Sequence, residues 1–128
     1  MRLPPDAADS QILDAVRAWV VALAAEDYAG ALVLVEAGPH WTPELLRTVI
    51  ANYGSIEPMR DGSTYRVTPP GSARGGPPPR HAVARAGDRI SVWFDLPLNG
   101  EWSDLTATFD VVRRHGGLVL VLDDVHVM

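Results

Sequence analysis

A two-residue turn signal in the C-terminal third of the chain constrains the fold more than any other feature. Asn99-Gly100 lies between two apolar, alternating segments. Asn-Gly is the preferred pair for a type I′ turn, because both central residues need positive φ. A second turn is predicted at residues 114–117, so residues 89–128 are expected to form three long antiparallel strands.

The register of the first hairpin follows by counting outward from this turn. The apolar face is predicted to carry the pairs Ile90–Phe109, Val92–Ala107 and Phe94–Leu105. The polar face is predicted to carry the pairs Arg89–Asp110, Ser91–Thr108 and Trp93–Thr106. One register therefore accounts for an apolar face, a polar face and a cross-strand ion pair.

Upstream of the sheet, apolar residues recur with the 3.6-residue period of a helix. Helices are predicted from Asp9 or Ser10 to about residue 25, over residues 28–37, and over residues 43–53. Asp27 and Thr42 are placed to cap the second and third helices. Residues 1–8, with Pro4 and Pro5, are predicted to be a flexible tail.

Between the helices and the C-terminal strands, the period of the apolar residues changes from 3.6 to 2. Residues 64–67 and 81–86 are predicted to be short strands. Residues 68–79 contain five prolines and three glycines. Such a segment cannot form a strand ladder, so it is predicted to be an exposed loop or lid.

Helices followed by strands indicate a single α+β domain over residues 1–128, with three helices packed on a curved antiparallel sheet of four to five strands. The pattern resembles the NTF2-like (cystatin-like) α+β cone in its amphipathic first helix, its A-x-E-D-Y-x-x-A-L join (Ala24–Leu32) and its terminal meander. The resemblance implies a pocket between sheet and helices and a homodimer through the sheet. The segments G-E-W-S-D-L-T and D-D-V-H-V also resemble small uncharacterised bacterial domains, which brings no function with it.

Composition excludes several classes of function. The net charge is −5, and all 11 basic residues are dispersed arginines, so nucleic acid is not an expected partner. There is no cysteine, which excludes disulfides and cysteine-ligated zinc. The apolar run 18–25 is too short to span a bilayer, and the expected compartment is the cytoplasm. The histidine spacing predicts no metal site, and no cofactor motif is present.

Asp124 and His126 are the candidate catalytic residues. If residues 114–117 form a hairpin with a two-residue loop, both share a face with Leu118, Leu120 and Leu122. An imidazole held by a carboxylate at the mouth of an apolar pocket is a plausible general base. NTF2-like isomerases and dehydratases use Asp and His in this way, which the resemblance would imply here. The alternative is that the sheet simply ends in solvent, and a three-residue loop would reverse the face.

The same counting predicts which residues line a ligand pocket. His81, Phe94, Leu105 and His126 are expected in one row across four strands. Trp19 and Tyr53 belong to the helical stripes, as core residues or as part of the pocket wall. Asp95 is expected to face Asp104, as a solvated pair or a cation site.

The opposite face of the meander is predicted to be unusually apolar for a wetted surface. Its predicted members are Ser91, Trp93, Thr106, Thr108, Val119, Val121 and Val125. Either a homodimer interface or the proline-rich loop is expected to cover it.

Three functions follow as hypotheses. The first is a domain that binds a small apolar molecule between sheet and helices. The second is an isomerase or dehydratase that uses Asp124 and His126. The third is a protein-interaction module, such as an immunity protein that blocks a toxin, which the acidic charge and small size would suit.

Overall fold

Three helices pack on one face of a five-stranded sheet in the computed structural model, which describes all 128 residues. The helices are α1 (Asp9–Ala24), α2 (Tyr28–Leu34) and α3 (Pro43–Ala51). The strands are β1 (Glu36–Ala37), β2 (His81–Ala86), β3 (Arg89–Leu98), β4 (Glu101–Arg114) and β5 (Gly117–Val127). The strand order is β1-β5-β4-β3-β2. The α+β class and the three helices are confirmed.

The sheet is mixed rather than purely antiparallel, because β1 runs parallel to β5. The second helix was predicted to reach Ala37 but ends at Leu34, and Glu36–Ala37 pairs with Val121 and Leu122 instead. This pairing satisfies main-chain groups on the outer edge of β5, whereas Gly38-Pro39 would have stopped the helix within a few residues. The strand predicted at residues 64–67 is reduced to one bridge, between Val67 and Leu98.

Two helix caps form as the sequence predicted. The Asp27 carboxylate accepts from the Gly30 N–H at 2.9 Å, and the Thr42 hydroxyl accepts from the Leu45 N–H at 3.1 Å. Each cap contributes about 1 kcal/mol. Helix α1 instead begins after Ala8, whose N–H donates to the Gln11 side chain at 2.7 Å, so neither Asp9 nor Ser10 is its cap.

The first residues join the sheet at one point. Leu3 exchanges two main-chain hydrogen bonds with Leu118, of 2.8 and 2.9 Å, and Ala7 is buried. Leu3 and β1 together occupy the edge of β5 that faces away from β4.

The β3–β4 hairpin begins in the predicted register and then changes it. Asn99 and Gly100 both have positive φ, and Leu98 pairs with Glu101 as counted. Beyond Trp102, a bulge in β4 places residues 103–105 opposite Leu96 alone. The Ser103 hydroxyl stabilises this bulge by donating to the Leu96 carbonyl at 2.7 Å and accepting from the Leu105 N–H at 3.2 Å.

The bulge moves the remaining pairs by two residues. The pairs are Ile90–Val111, Ser91–Asp110, Val92–Phe109, Trp93–Thr108, Phe94–Ala107 and Asp95–Thr106. An even shift keeps each side chain on its predicted face, so the two faces of β3 and β4 are as predicted. The predicted Arg89–Asp110 pair does not form, and Asp104 does not face Asp95, since Thr106 takes that place.

The core lies between the helices and the inner face of the sheet. Trp19 of α1 is fully buried and packs edge-on against Phe109 of β4, with ring centroids 5.0 Å apart. Edge-to-face contact is the arrangement that aromatic quadrupoles prefer. The other large, fully buried side chains are Ile12, Val16, Val20, Leu23, Leu46, Ile50, Val67, Phe94, Leu96 and Leu105.

Candidate functional site

The face of the sheet opposite the helices, here called the outer face, carries most of the candidate residues. Trp93, Val112, Val119 and Val121 lie on it and are partly exposed. Its other members are Glu36, Ala82, Ala84, Ala86, Arg89, Ser91, Asp95, Thr106, Thr108, Asp110, Arg114, Asp123, Asp124 and His126. Val125, predicted to lie on this face, is buried in the core instead.

A second bulge, at Asp123, decides where the candidate catalytic residues lie. The turn predicted at residues 114–117 has the two-residue loop, His115-Gly116, and not the three-residue alternative, and the register holds as far as the Phe109–Leu122 pair. Asp123 is then an extra residue, so Thr108 pairs with Asp124 and Ala107 with Val125. The prediction that Asp124 and His126 share a face with Leu118, Leu120 and Leu122 is therefore wrong. A single inserted residue reverses every later side chain.

Asp124 and His126 form an exposed pair on the outer face. His126 Nδ1 lies 3.2 Å from Asp124 Oδ2, with side chains 40% and 54% exposed, but without hydrogen-bond alignment. Asp124 Oδ1 accepts from the Val125 N–H at 2.8 Å, and Asp123 accepts from the Thr108 hydroxyl at 3.2 Å. Neither residue lines any of the five principal depressions. The catalytic role of the pair stays a prediction.

Asp95 is the buried charge of the outer face. Its side chain is 2% exposed and forms an ion pair with Arg80, whose Nε lies 3.0 Å from Asp95 Oδ2. The Arg80 main-chain N–H and the Thr106 hydroxyl also donate to the carboxylate, at 2.8 and 2.6 Å. Four hydrogen bonds from two residues offset the cost of burying this charge. Sequence reasoning missed the pair because Arg80 lies just before the predicted strand 81–86, although the predicted His81–Phe94 pairing places it opposite Asp95.

A shallow depression of 210 Å³ lies beside this ion pair. Its walls are Arg80, Ala82, Trp93, Asp95, Thr106 and Met128. Arg80 Nη2 also donates to the main-chain oxygen of Met128 at 3.3 Å. The Arg80–Asp95 pair therefore connects the residue before β2, the middle of β3 and the end of the chain.

His81 lies on the inner face and pairs with Phe94, as predicted. The two rings are stacked with centroids 3.7 Å apart, and Trp102 packs edge-on against the imidazole. His81 Nε2 lies 3.2 Å from the Asp95 carbonyl oxygen. Burial lowers the pKa of His81, partly opposed by this carbonyl. The predicted row stops here, because Phe94 faces Ala107 and Ala107 faces Val125.

The other predicted pocket residues fill the space between sheet and helices. Trp19, Phe94 and Leu105 are fully buried, and none of them lines any of the five principal surface depressions. Tyr53 packs against Tyr65 and donates its hydroxyl proton to Asp104. Burial raises the pKa of Tyr53, and the Asp104 carboxylate raises it further.

No three His, Asp or Glu side chains are grouped so that they could hold a metal ion. None of the helices combines the length and the apolar character needed to cross a bilayer. Comparisons of the chain with protein-family models, with curated proteins and with solved structures gave no match.

Proposed function

We propose that the protein is an interaction module whose outer face binds a basic partner protein. The observation that carries the proposal is a sheet face that no helix covers and that exposes Trp93 and three valines among small and hydroxyl side chains. Val112, Val119 and Val121 are neighbours on β4 and β5, and apolar surface of this kind is typical of binding sites. Tryptophan is also the residue most enriched among those that dominate binding energy.

The proline-rich loop lies on the other side of the sheet. Its Arg74 N–H donates to the Gly100 carbonyl at 2.8 Å, and its Gly75 carbonyl accepts from the Trp102 N–H at 3.2 Å. Gly76 has φ +78° and approaches the Trp102 carbonyl so closely that a Cβ would collide with it. The short 3₁₀ turn Pro70–Ser72 contacts α1. The loop is thus held on the helix side and leaves the outer face free.

Charge favours a basic partner over a second copy of the same face. Two carboxylates of this surface are paired, Asp95 with Arg80 and Glu36 with Arg114. Asp110, Asp123 and Asp124 have no arginine partner, and Arg89 is the one unpaired guanidinium of the outer face. The excess is negative, so two outer faces would repel each other while a cationic surface would be attracted. An immunity protein that blocks a basic toxin would have this charge relation.

Site-specific photo-crosslinking tests the proposal. A photoreactive phenylalanine analogue at Val121 would probe the outer face, and the same analogue at the exposed Val33 of α2 is the matched control. Irradiation in a lysate of the source organism is expected to join a basic protein to the Val121 variant alone. The yield should fall with added salt and with the double charge reversal Asp110→Lys/Asp124→Lys. It should survive the equal reversal Asp6→Lys/Glu57→Lys away from this face.

Two results would overturn the proposal. Equal crosslinking from Val33 and Val121 would mean that the outer face has no preference. A crosslinked product containing two copies of this chain would mean that the face is a self-association surface.

The two small-molecule functions stay predictions. A ligand between sheet and helices would have to displace Trp19, Phe94 or Leu105, which fill that space. A substrate at Asp124 and His126 would lie on an open surface. Neither has a formed cavity to support it, so the interaction function ranks first.

We also propose that the fold is of the NTF2-like type. Supporting this are the element order, the packing of all three helices on one face and the long meander of β3, β4 and β5. The parallel strand β1 is a departure from the antiparallel sheet that the resemblance implied. An experimental structure that matched an NTF2-like domain in strand order would test this assignment.

A further inference from the structure

The strand β2 is the unprotected edge of the sheet, and we propose that β2 strands of two copies pair antiparallel, joining two sheets into one of ten strands. This inference is independent of the partner proposed for the outer face. It rests on main-chain groups that have no partner within the chain.

The hydrogen-bond pattern shows which groups these are. The Asp95 N–H donates to the Arg80 carbonyl at 3.1 Å, which makes this a hydrogen-bonded position of the antiparallel ladder. Hydrogen-bonded positions alternate, so the pairs Ala82–Trp93, Ala84–Ser91 and Ala86–Arg89 are also of this kind. The N–H and C=O groups of His81, Val83 and Arg85 then point away from β3. None of the bonds outside the ladders involves these groups.

The opposite edge of the sheet is already occupied. Leu3 and the two-residue β1 pair with β5 there, so β2 is the only edge strand long enough to extend the sheet. Natural edge strands avoid such pairing with proline, lysine, bulges or a covering segment. Strand β2 contains no proline or lysine, and its one arginine, Arg85, is paired with Asp9. The strand pairs with β3 without a bulge and follows the last proline of the loop, Pro79.

The β2 strand of a second copy is the partner that suits this edge. An antiparallel two-fold axis at Val83 sets His81 of each copy opposite Arg85 of the other, giving about six main-chain hydrogen bonds. On the outer side, Ala82, Ala84 and Ala86 are too small to obstruct the approach. Nearby charges are paired within the chain, Arg85 with Asp9 at 2.9 Å and Arg17 with Asp14 at 2.9 Å. A second copy therefore meets no excess of like charge, in contrast to the outer face.

Proline at residue 83 tests the proposal. The Val83 N–H points away from β3, so Val83→Pro removes an edge donor without removing a β2–β3 hydrogen bond. Val83→Ala is the matched control, since it loses side-chain volume but keeps the N–H. In sedimentation equilibrium at micromolar concentration, the wild type and Val83→Ala are expected to be dimers. Val83→Pro should raise the dimer Kd about tenfold or more, because each dimer loses two hydrogen bonds.

Hydrogen exchange on the wild-type protein gives a test that no folding defect can disturb. The amides of His81, Val83 and Arg85 should be protected at high concentration and lose protection on dilution. The Ala84 amide, which bonds to β3, should stay protected throughout.

A wild-type protein that sediments as a 13.8 kDa monomer would overturn the proposal. So would a dimer that survives Val83→Pro but dissociates on Asp110→Lys/Asp124→Lys, because the copies would then meet through the outer face. A dimer that dissociates on Val83→Pro but survives Asp110→Lys/Asp124→Lys would support edge pairing. The outer face would then be free for a different partner.

Discussion

Asp95 shows how one side chain can connect separate parts of this molecule. Its carboxylate is almost fully buried, yet it lies on the face of the sheet that the helices do not cover. It receives the guanidinium and main-chain N–H of Arg80 and the hydroxyl of Thr106. Removal of the carboxylate would leave buried donors without an acceptor, whereas water can take the place of an exposed donor. The carboxylate should therefore contribute more to stability than its exposed partner.

We expect Asp95→Ala to lower the free energy of unfolding by about 2 to 3 kcal/mol, because buried donors lose their acceptor. Arg80→Ala should cost less than this, since the guanidinium is half-exposed and water can replace it at the carboxylate. Urea denaturation of the two variants and the wild type measures both values. Equal losses would contradict the buried-acceptor explanation.

His81 is the residue whose stability contribution should depend on pH. Burial lowers its pKa in the folded state, so the unfolded state binds more protons below the usual histidine pKa of about 6.5. The contribution is therefore complete above about pH 6.5 and is lost as the pH falls toward the folded-state pKa. His81→Phe, which keeps the stack on Phe94, should make the melting temperature less sensitive to acid.

The exposed turn residue His115 supplies the control. His115 has φ +49°, a conformation that asparagine tolerates, so His115→Asn should fold normally. Melting curves between about pH 5 and about pH 8 should show the wild-type slope for His115→Asn and a smaller slope for His81→Phe. A His81→Phe slope equal to that of the wild type would refute the assignment.

At the scale of elements, the bulge at Asp123 shows how one inserted residue changes the face of every later side chain in β5. It buries Val125, which is 2% exposed, and turns Asp124 and His126 to the outer face. Without the extra residue, Asp124 would occupy the next inward-facing position after Leu122. The strand avoids burying a carboxylate by inserting one residue into the ladder.

Deletion of Asp123 should therefore disrupt the end of β5. We expect a loss of about 2 to 3 kcal/mol from exposure of Val125, together with faster hydrogen exchange at Thr106, whose N–H points toward β5. Asp123→Ala is the control, since it keeps the bulge and loses only the bond from Thr108, at a cost of about 1 kcal/mol. Unchanged exchange in the deletion variant would show that the end of β5 is not held by this register.

The bulges mark the limit of what the sequence predicts. Asn99-Gly100, His115-Gly116 and the caps Asp27 and Thr42 obey rules that act over a few residues, and all four were predicted. The bulges at residues 103–105 and 123 depend on which side chains are buried on the inner face, and this is decided by packing across several strands. The Leu3–Leu118 pairing depends on an edge of β5 whose position in the sheet follows only from the complete topology. The candidate catalytic pair was misplaced because its face depended on such a bulge.

At the scale of the whole molecule, the two proposed surfaces reinforce each other. Pairing through β2 would set two outer faces side by side on one continuous sheet, with the helices of both copies on the opposite side. A partner with two equivalent basic sites would then bind more tightly than a single face allows, through a higher effective concentration. The edge and the face can be tested separately, because Val83 and Asp110 lie on different surfaces.

The position of β5 has a consequence for biosynthesis. The last element of this fold to leave the ribosome is inserted between β1 and β4, and it supplies the partner of both Leu3 and Glu36–Ala37. Until it emerges, the apolar stripes of the three helices lack a completed sheet to pack against. At about 5 to 20 residues per second, the nascent chain keeps these stripes exposed for seconds.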